Sequence, residues 1–411
     1  MLRSALFGSS VLAGLVFFAC GDEETTGKTT NPTPDASTGS DADAAGDSGA
    51  GSDATDAASE APADVDAGVE AEADAPGPAL YEVHLVQQLA GMPFSAPLGM
   101  NESGQVVGYA GDEAFSPFSE PVRVDPPATL TKLTTPSPNY GFARGIVDDG
   151  SLIVGEYEFQ GAYWQSGAKQ TLAAMPGFFS TAAWDVNESG LVVGTFADHD
   201  DPLPPNPVGP RPCYWSTVTS DPASLQTLDG EPNGIAFAVN DSGAIAGTSG
   251  SSKGFVAVRW PSASAAPEDL GHVAGAVLTE ARAISSNGNL AGRSGFQDGT
   301  GRAFWLPAGT TTLVALPNLA NPAIEYAEAF GVNASGLVVG TATTPEQTVH
   351  AVGWLNGAIF DFNDQLVAPH PEIQYLQSAV AVSDTGLVAA EAVLVGSVGD
   401  TQRAIVVLQP K

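Results

Sequence analysis

Few side chains in this sequence have the types and spacing that chemistry requires. There are two cysteines, Cys20 and Cys213, and five scattered histidines, His84, His199, His272, His350 and His370. The densest set of possible ligands is Asp198-His199-Asp200-Asp201, inside a proline-rich insertion from Phe196 to Pro212. Hard oxygen ligands this close together can hold calcium, but the spacing of a calcium-binding EF-hand loop is absent and a solvated loop is the expectation. Asp198, Asp200 and Asp201 are the best metal candidates in a sequence that predicts neither a metal nor a cofactor. No His-Glu-x-x-His pair, phosphate-binding loop or Cys-x-x-Cys occurs, and no nucleophile elbow is expected. Cys213 stands beside aromatics in Arg-Pro-Cys-Tyr-Trp. Without a histidine partner or an electropositive setting it reads as a buried small hydrophobe, not a nucleophile.

The other cysteine has a different context. Residues 1–19 carry a short basic start at Arg3 and an apolar run from Ala5 to Ala19. That is the pattern of a secretory signal peptide, and the run is too short to span a bilayer comfortably. The segment Val16-Phe17-Phe18-Ala19-Cys20-Gly21 resembles the lipobox of bacterial lipoproteins, with Phe17 where leucine is usual. The resemblance implies that Cys20 becomes a lipidated first residue. The chain would then be exported and held on the cell envelope, at the outer membrane or cell surface. From Gly21 to Pro78 there are 15 Asp and Glu against one Lys, no aromatics and almost no large aliphatics. Such a segment buries too little apolar surface to offset its ordering entropy, and like charges extend it. Residues 20–78 are therefore expected to be a disordered acidic tether. The formal net charge of −33 argues against a nucleic-acid partner, because phosphate contacts need Lys and Arg.

What must position any site is the remainder, residues 79–411. An eight-residue word recurs in it: Asn101–Gly108 (NESGQVVG), Asn187–Gly194 (NESGLVVG), Asn240–Gly247 (NDSGAIAG) and Asn333–Gly340 (NASGLVVG). Looser copies stand at Asp148–Gly155, Ser285–Gly292 and Ser383–Ala390, which makes seven at intervals of 39 to 53 residues. The pairs Asn101 and Gly104, Asn187 and Gly190, Asn240 and Gly243, and Asn333 and Gly336 predict tight turns. Asn caps the backbone of such a turn and Gly supplies its left-handed residue. Alternating strands precede each word and apolar strands follow it. An aromatic strand (Ala162-Tyr163-Trp164, Cys213-Tyr214-Trp215, Val258-Arg259-Trp260, Ala303-Phe304-Trp305, Val352-Gly353-Trp354) and a short Leu-type strand (Leu130–Leu133, Leu225–Leu228, Leu313–Leu316, Ile359–Phe362) complete each unit. Four short strands in about 47 residues, seven times over, predict an all-β, seven-bladed β-propeller of four-stranded blades. A β-solenoid is the alternative. The first strand, Tyr81–Leu89, and the last, Arg403–Leu408, are expected to share one blade and close the ring.

These residues also resemble the bacterial extracellular HAF-repeat family, over about Tyr81 to Lys411. Asp269-Leu270-Gly271 matches the start of that family's repeat. Asn101, Asn187, Asn240 and Asn333 with their glycines match its centre, and His350-Ala351-Val352 and Arg302-Ala303-Phe304 approach its end. The second, fifth and seventh copies depart from it. The tryptophans follow their alanines at two different spacings, so one residue of slip would turn some of them to the opposite face. The resemblance implies an exported protein and supplies no catalytic residues.

A propeller generally works at one rim. Loops leading into the small-faced strands would share a rim with loops after the Val-Val-Gly strands. That places Tyr140, Arg144, Phe178, Phe179, Glu280, Tyr326 and Tyr375 near it. The expected function is a non-catalytic binding or scaffold module for a protein or a glycan, touching membrane only through its lipid. The alternatives are a passive envelope or matrix component and a glycan hydrolase or lyase. The last would present paired carboxylates about 5–9 Å apart.

Overall fold

The computed structural model describes residues 77–113, 118–136, 140–197, 209–319, 325–397 and 401–411. The signal segment, Cys20, nearly all of the acidic tether, and Asp198, Asp200 and Asp201 lie outside them.

Among the described residues seven four-stranded antiparallel blades follow one another. Their innermost strands are Phe94–Met100, Gly141–Ile146, Ser180–Val186, Gly234–Val239, Leu278–Ile284, Ala327–Val332 and Ile373–Val382. Each inner strand packs on the next, and the seventh packs on the first, so the ring closes and a solenoid is excluded. The seventh blade is shared between the chain ends: Tyr81–Leu85 pairs antiparallel with Arg403–Pro410, from Tyr81 opposite Pro410 to Leu85 opposite Val406.

The repeated word is the turn between the first and second strands of each blade. Gly104, Gly190, Gly243 and Gly336 hold φ of +79°, +80°, +82° and +84°, a region costly for residues with a Cβ. The glycine that ends the word answers a different need. At Gly108, Gly155, Gly194, Gly247, Gly292 and Gly340 an added Cβ would stand 1.9–2.1 Å from a carbonyl oxygen of the inner strand. That close approach accompanies a β-bulge at one position of every inner strand, at Leu98, Arg144, Trp184, Phe237, Arg282, Phe330 and Val380. The seventh word ends in Ala390, and the strand facing it carries two further register shifts, between Ile373 and Tyr375 and between Leu376 and Ser378.

The core lies in layers between consecutive blades. Blades two and three, for example, enclose Val154, Tyr163, Ala183, Val192, Cys213 and Trp215. Burial pushes the Cys213 thiol far above its ordinary pKa and leaves it inert. Trp164, Trp215, Trp260 and Trp354 each donate their indole N–H to a carbonyl of the preceding unit: Thr134 (3.0 Å), Ala173 (2.9 Å), Gln226 (2.7 Å) and Pro317 (2.7 Å). Trp305 does not. It pairs with Ala291, and Leu306 pairs with Leu290 in the register that Trp260 and Ile245 occupy in blade four. One residue of slip has turned the indole toward the following blade, where it meets Gly336. The Leu-rich segments match expectation in part. Leu130–Leu133 and Ile359–Phe362 largely coincide with the outer strands Thr129–Lys132 and Ala358–Asp361, whereas in blades three and five the strands end at Ser224 and Ala315, before their leucines. Leu133, Leu172, Leu225 and Leu316 each donate one more N–H to the third strand's Pro121, Gly161, Pro212 and Ala303 and tuck in beneath the blade's end.

Candidate functional site

The two ends of the ring differ in chemistry. At the turn end, Asn101, Asn187, Asn240 and Asn333 are buried and work twice. Each Oδ1 accepts from its own turn, as from Leu337 N (3.0 Å) and Ser335 Oγ (2.8 Å) at Asn333. Each Nδ2 reaches the next blade, donating to the carbonyls of Val147 (2.9 Å), Asn240 (2.9 Å), Ser285 (3.0 Å) and Ser383 (3.0 Å) respectively. In blade five, where Ser285 replaces Asn, Asn289 donates to the Asn333 carbonyl instead (3.0 Å). Carboxylates outside these amides add a second set of links. Glu102 N donates to Asp148 (3.0 Å), Asp148 N to Glu188, Glu188 N to Asp241 (3.0 Å), Ala334 N to Asp384 (2.7 Å) and Asp384 N to Glu102 (2.7 Å). Burial, together with Asp384, Asp148 and Asp241 nearby, raises the Glu102 pKa against that hydrogen bond. The described chain starts at this end: Gly77, Pro78 and Ala79 line a cavity of about 240 Å³ with Asn333, Ser335 and Gly386.

Along the inner strands the bulge residues of successive blades touch. The Arg144 guanidinium lies 4.2 Å from the Trp184 ring, Trp184 meets Phe237 edge-on at 5.3 Å, and Arg282 lies 5.3 Å from Phe237. Arg282 and Arg293 converge on Glu280 Oε2 (2.7 Å each), and Arg293 continues to Glu328 (2.5 Å), which also accepts from Tyr326. Burial opposes the charge on Glu280, but the two guanidiniums outweigh it and hold its pKa below the usual carboxylate range. Burial and then Glu328 push the Tyr326 phenol up. Arg293 bridges Glu280 and Glu328, and Arg282 adds a second guanidinium on Glu280, so the network pairs two buried carboxylates with two cations. Asp185 occupies an inner-strand position where the other blades carry Gly or Ala, at Gly99, Gly145, Ala238, Ala283, Gly331 and Ala381. Its carboxylate accepts from Val186 N (2.8 Å) and from Val239 N of the next blade (2.9 Å), and burial pushes its pKa up to about 7.

The opposite rim collects exposed apolar side chains: Phe118 (61% exposed), Phe159 (44%), Phe179 (50%), Val277 (53%) and Val395 (59%). Each sits in a loop that leaves a second strand or enters an inner strand. Phe159 is held there by a two-residue hairpin turn in which Glu158 and Phe159 both adopt left-handed backbone, φ 53° and 64°. Asn-Gly is the usual choice for such a turn, and a Phe in it stores strain. Its ring stacks on Tyr140 at 5.0 Å, and Glu158 N donates to the Tyr140 carbonyl (2.8 Å), so the two kinds of loop do meet.

The other rim candidates are placed unequally. Phe178 packs on Phe196 (4.3 Å) and beside Arg211, while Phe179 faces outward. Tyr375 stacks on His350 (5.3 Å), whose Nδ1 meets Asp361 at 2.6 Å. Arg144 sits at its bulge beside Glu156 (3.5 Å), and Glu280 and Tyr326 belong to the buried charge network. Phe118, Phe159, Val277 and Val395 were not anticipated. The one available signal was an apolar side chain at a loop tip between two strands. Gly250-Ser251-Ser252-Lys253-Gly254 spells the letters of a nucleophile elbow, contrary to the expectation that none is present. It is a hairpin turn in blade four, not a strand-to-helix elbow. Ser252 Oγ bonds Asp229 (3.2 Å) and His272 Nε2 meets the Lys253 carbonyl (3.2 Å), so no Ser–His pair forms there.

No protein-family model and no curated protein matches this chain. An oligogalacturonate lyase solved in complex with manganese aligns with a TM-score of 0.50 at 11% identity, covering 81% of this chain and 97% of that one. TolB from Acinetobacter baumannii gives 0.44 at 11% identity over 76% of this chain, which spans 65% of the TolB chain. A catalytically inactive virginiamycin B lyase from Staphylococcus aureus gives 0.45 at 10%, covering 80% and 100%. Likeness at such identities shows the fold alone. The protein is a β-propeller, and the neighbours include enzymes and a non-enzyme.

Proposed function

We propose that this chain is an exported lipoprotein of the HAF-repeat kind, whose propeller is a non-catalytic binding module for a macromolecule. The observation that carries this reading is the opposition of the two ends. The chain enters the domain at the turn end, beside Asn333 and Gly386, and the exposed Phe118, Phe159, Phe179, Val277 and Val395 crown the other. A lipid on Cys20 followed by the acidic tether would attach the domain through its turn end and leave the apolar rim unencumbered. Exposed apolar groups gathered at one rim are the usual mark of an interaction site, whereas scattered ones need no explanation. The test is a comparison of full-length chains carrying Phe179→Ser or the control Val314→Ser, the latter on an outer strand, presented to envelope proteins and to a glycan array. A specific partner kept by the control and lost by the rim variant supports the reading. Identical binding profiles overturn it.

A further inference from the structure

We infer that the rim is built for a basic, apolar-anchored polypeptide; this rests on the rim being the binding face and names its partner. Three observations carry it. The first is charge. After Pro78 the chain has 32 acidic and 12 basic side chains. The rim loops follow that bias, with Asp112, Glu113, Glu231, Asp298, Glu346 and Glu372 all exposed there. The basic groups Lys253 and Arg302 at the same end already face carboxylates, Asp269 at 3.7 Å and Glu325 at 3.0 Å. A partner rich in Lys or Arg meets an uncompensated negative field, which raises its encounter rate and disfavours acidic competitors.

The second observation is the placement of the anchors. The apolar side chains come from the loops of blades one, two, three, five and seven and the carboxylates from those of blades one, four, five, six and seven, so both kinds share the one rim. Their complement is a chain that carries apolar and basic residues together. The third is the strain at Glu158-Phe159. Asn-Gly would relieve both left-handed residues, yet the sequence keeps an aromatic there, stacked on Tyr140. Strain retained at an exposed aromatic is explained by what the ring touches when the partner is bound. A neutral glycan would use the rings for stacking and the carboxylates as hydroxyl acceptors, but its binding would not weaken with salt.

The experiment uses the full chain and three synthetic peptides of equal length, Lys/Leu, Lys/Gly and Glu/Leu in alternation, with binding followed by calorimetry at low and high salt. The key variant is Glu158→Asn with Phe159→Gly, combined with Phe179→Ser. Its turn is relaxed, so it should unfold no more easily than the parent. The expected result is that Lys/Leu binds at least about tenfold more tightly than Lys/Gly, weakens with salt, and loses about tenfold in the variant. Equal binding of Lys/Leu and Lys/Gly, unchanged in the variant, would place the peptides on the acidic tether or turn end and overturn the inference. Binding of Glu/Leu that the variant abolishes would keep the rim as the binding face while rejecting a basic partner. No binding of Lys/Leu overturns the inference outright.

Discussion

At four of the seven turns stands a buried asparagine whose two side-chain polar atoms serve two different blades. Replacing Asn333 by Ala removes the Oδ1 acceptor of Leu337 N and the Nδ2 donor to the Ser383 carbonyl, both in a buried setting. The expected cost is about 2–3 kcal/mol, read as a lowered urea midpoint with an unchanged slope. The slope matters, because a change in it would mean that one blade had come loose. Asp185 makes a pH-dependent prediction. Its carboxyl, ordinarily near 3.8, is raised to about 7, so the fold disfavours its ionised form. The penalty is absent below the unfolded pKa, grows as pH rises through 4 to 7, and is complete above that. Asp185→Ala gives up two acceptor contacts at every pH and removes Asp185's share of the slope. Relative to the parent, the variant should gain on the order of 2 kcal/mol between pH 4.5 and 7.5. Parallel stability profiles for the two proteins would refute the burial argument.

At the scale of strands, the glycine that closes the word is the most constrained position. A Cβ at Gly340 would stand 1.9 Å from the Glu328 carbonyl oxygen, and backbone cannot yield as a flexible side chain does. Gly340→Ala should therefore destabilise by about 3 kcal/mol or more. The reverse change Ala390→Gly, opposite an inner strand with extra register shifts, should cost no more than about 1 kcal/mol. Equal midpoints for the Gly340→Ala chain and its parent in thermal melts would contradict the bulge geometry. The same strands show what a sequence discloses. Turn chemistry is local, so Asn101 and Gly104 announce their hairpins, and the count of hairpins gives the count of blades. The bulges are not local. They arise because inner strands crowd at the axis, and nothing in Ala-Trp-Asp-Val reveals that Trp184 is the extra residue. Trp305 shows the limit from the other side: its spacing warned of a face change, but only the pairing with Ala291 decides it. The rim was legible as a location and not as a surface, since Phe178 and Phe179 are neighbours in sequence yet only Phe179 is presented to solvent.

Over the whole molecule, closure depends on a pairing inside blade seven, where Tyr81–Leu85 from the start of the domain meets Arg403–Pro410 from its end with no covalent bond between them. Beyond residues 86–93, which carry the chain from Tyr81–Leu85 into Phe94–Met100, blade seven meets blade one through a parallel bridge between Phe94 and Arg403, the Ile405 N–H donated to Ser95, the Asp384-to-Glu102 link at the turn end, and a shared apolar layer that includes Val106, Val122 and Ile405. Five paired residues, Tyr81–Leu85, supply the outer strand of that blade. Tyr81 is buried in it, meeting Phe362 edge-on at 5.2 Å, so this strand also covers the layer between blades six and seven. A chain lacking residues 1–86 would leave Arg403–Pro410 as a long apolar strand with an unpaired edge. Such an edge either frays or recruits another copy. The expected outcome is a thermal midpoint lower by about 10 °C or more, with concentration-dependent self-association in ultracentrifugation. Adding a peptide of residues 79–89 should restore both, because what is missing is pairing and not connectivity. An unchanged midpoint in the shortened chain would show that the apolar layer and the turn-end links close the ring alone. Loss of folding that the peptide cannot repair would show instead that the strand is needed before the ring forms.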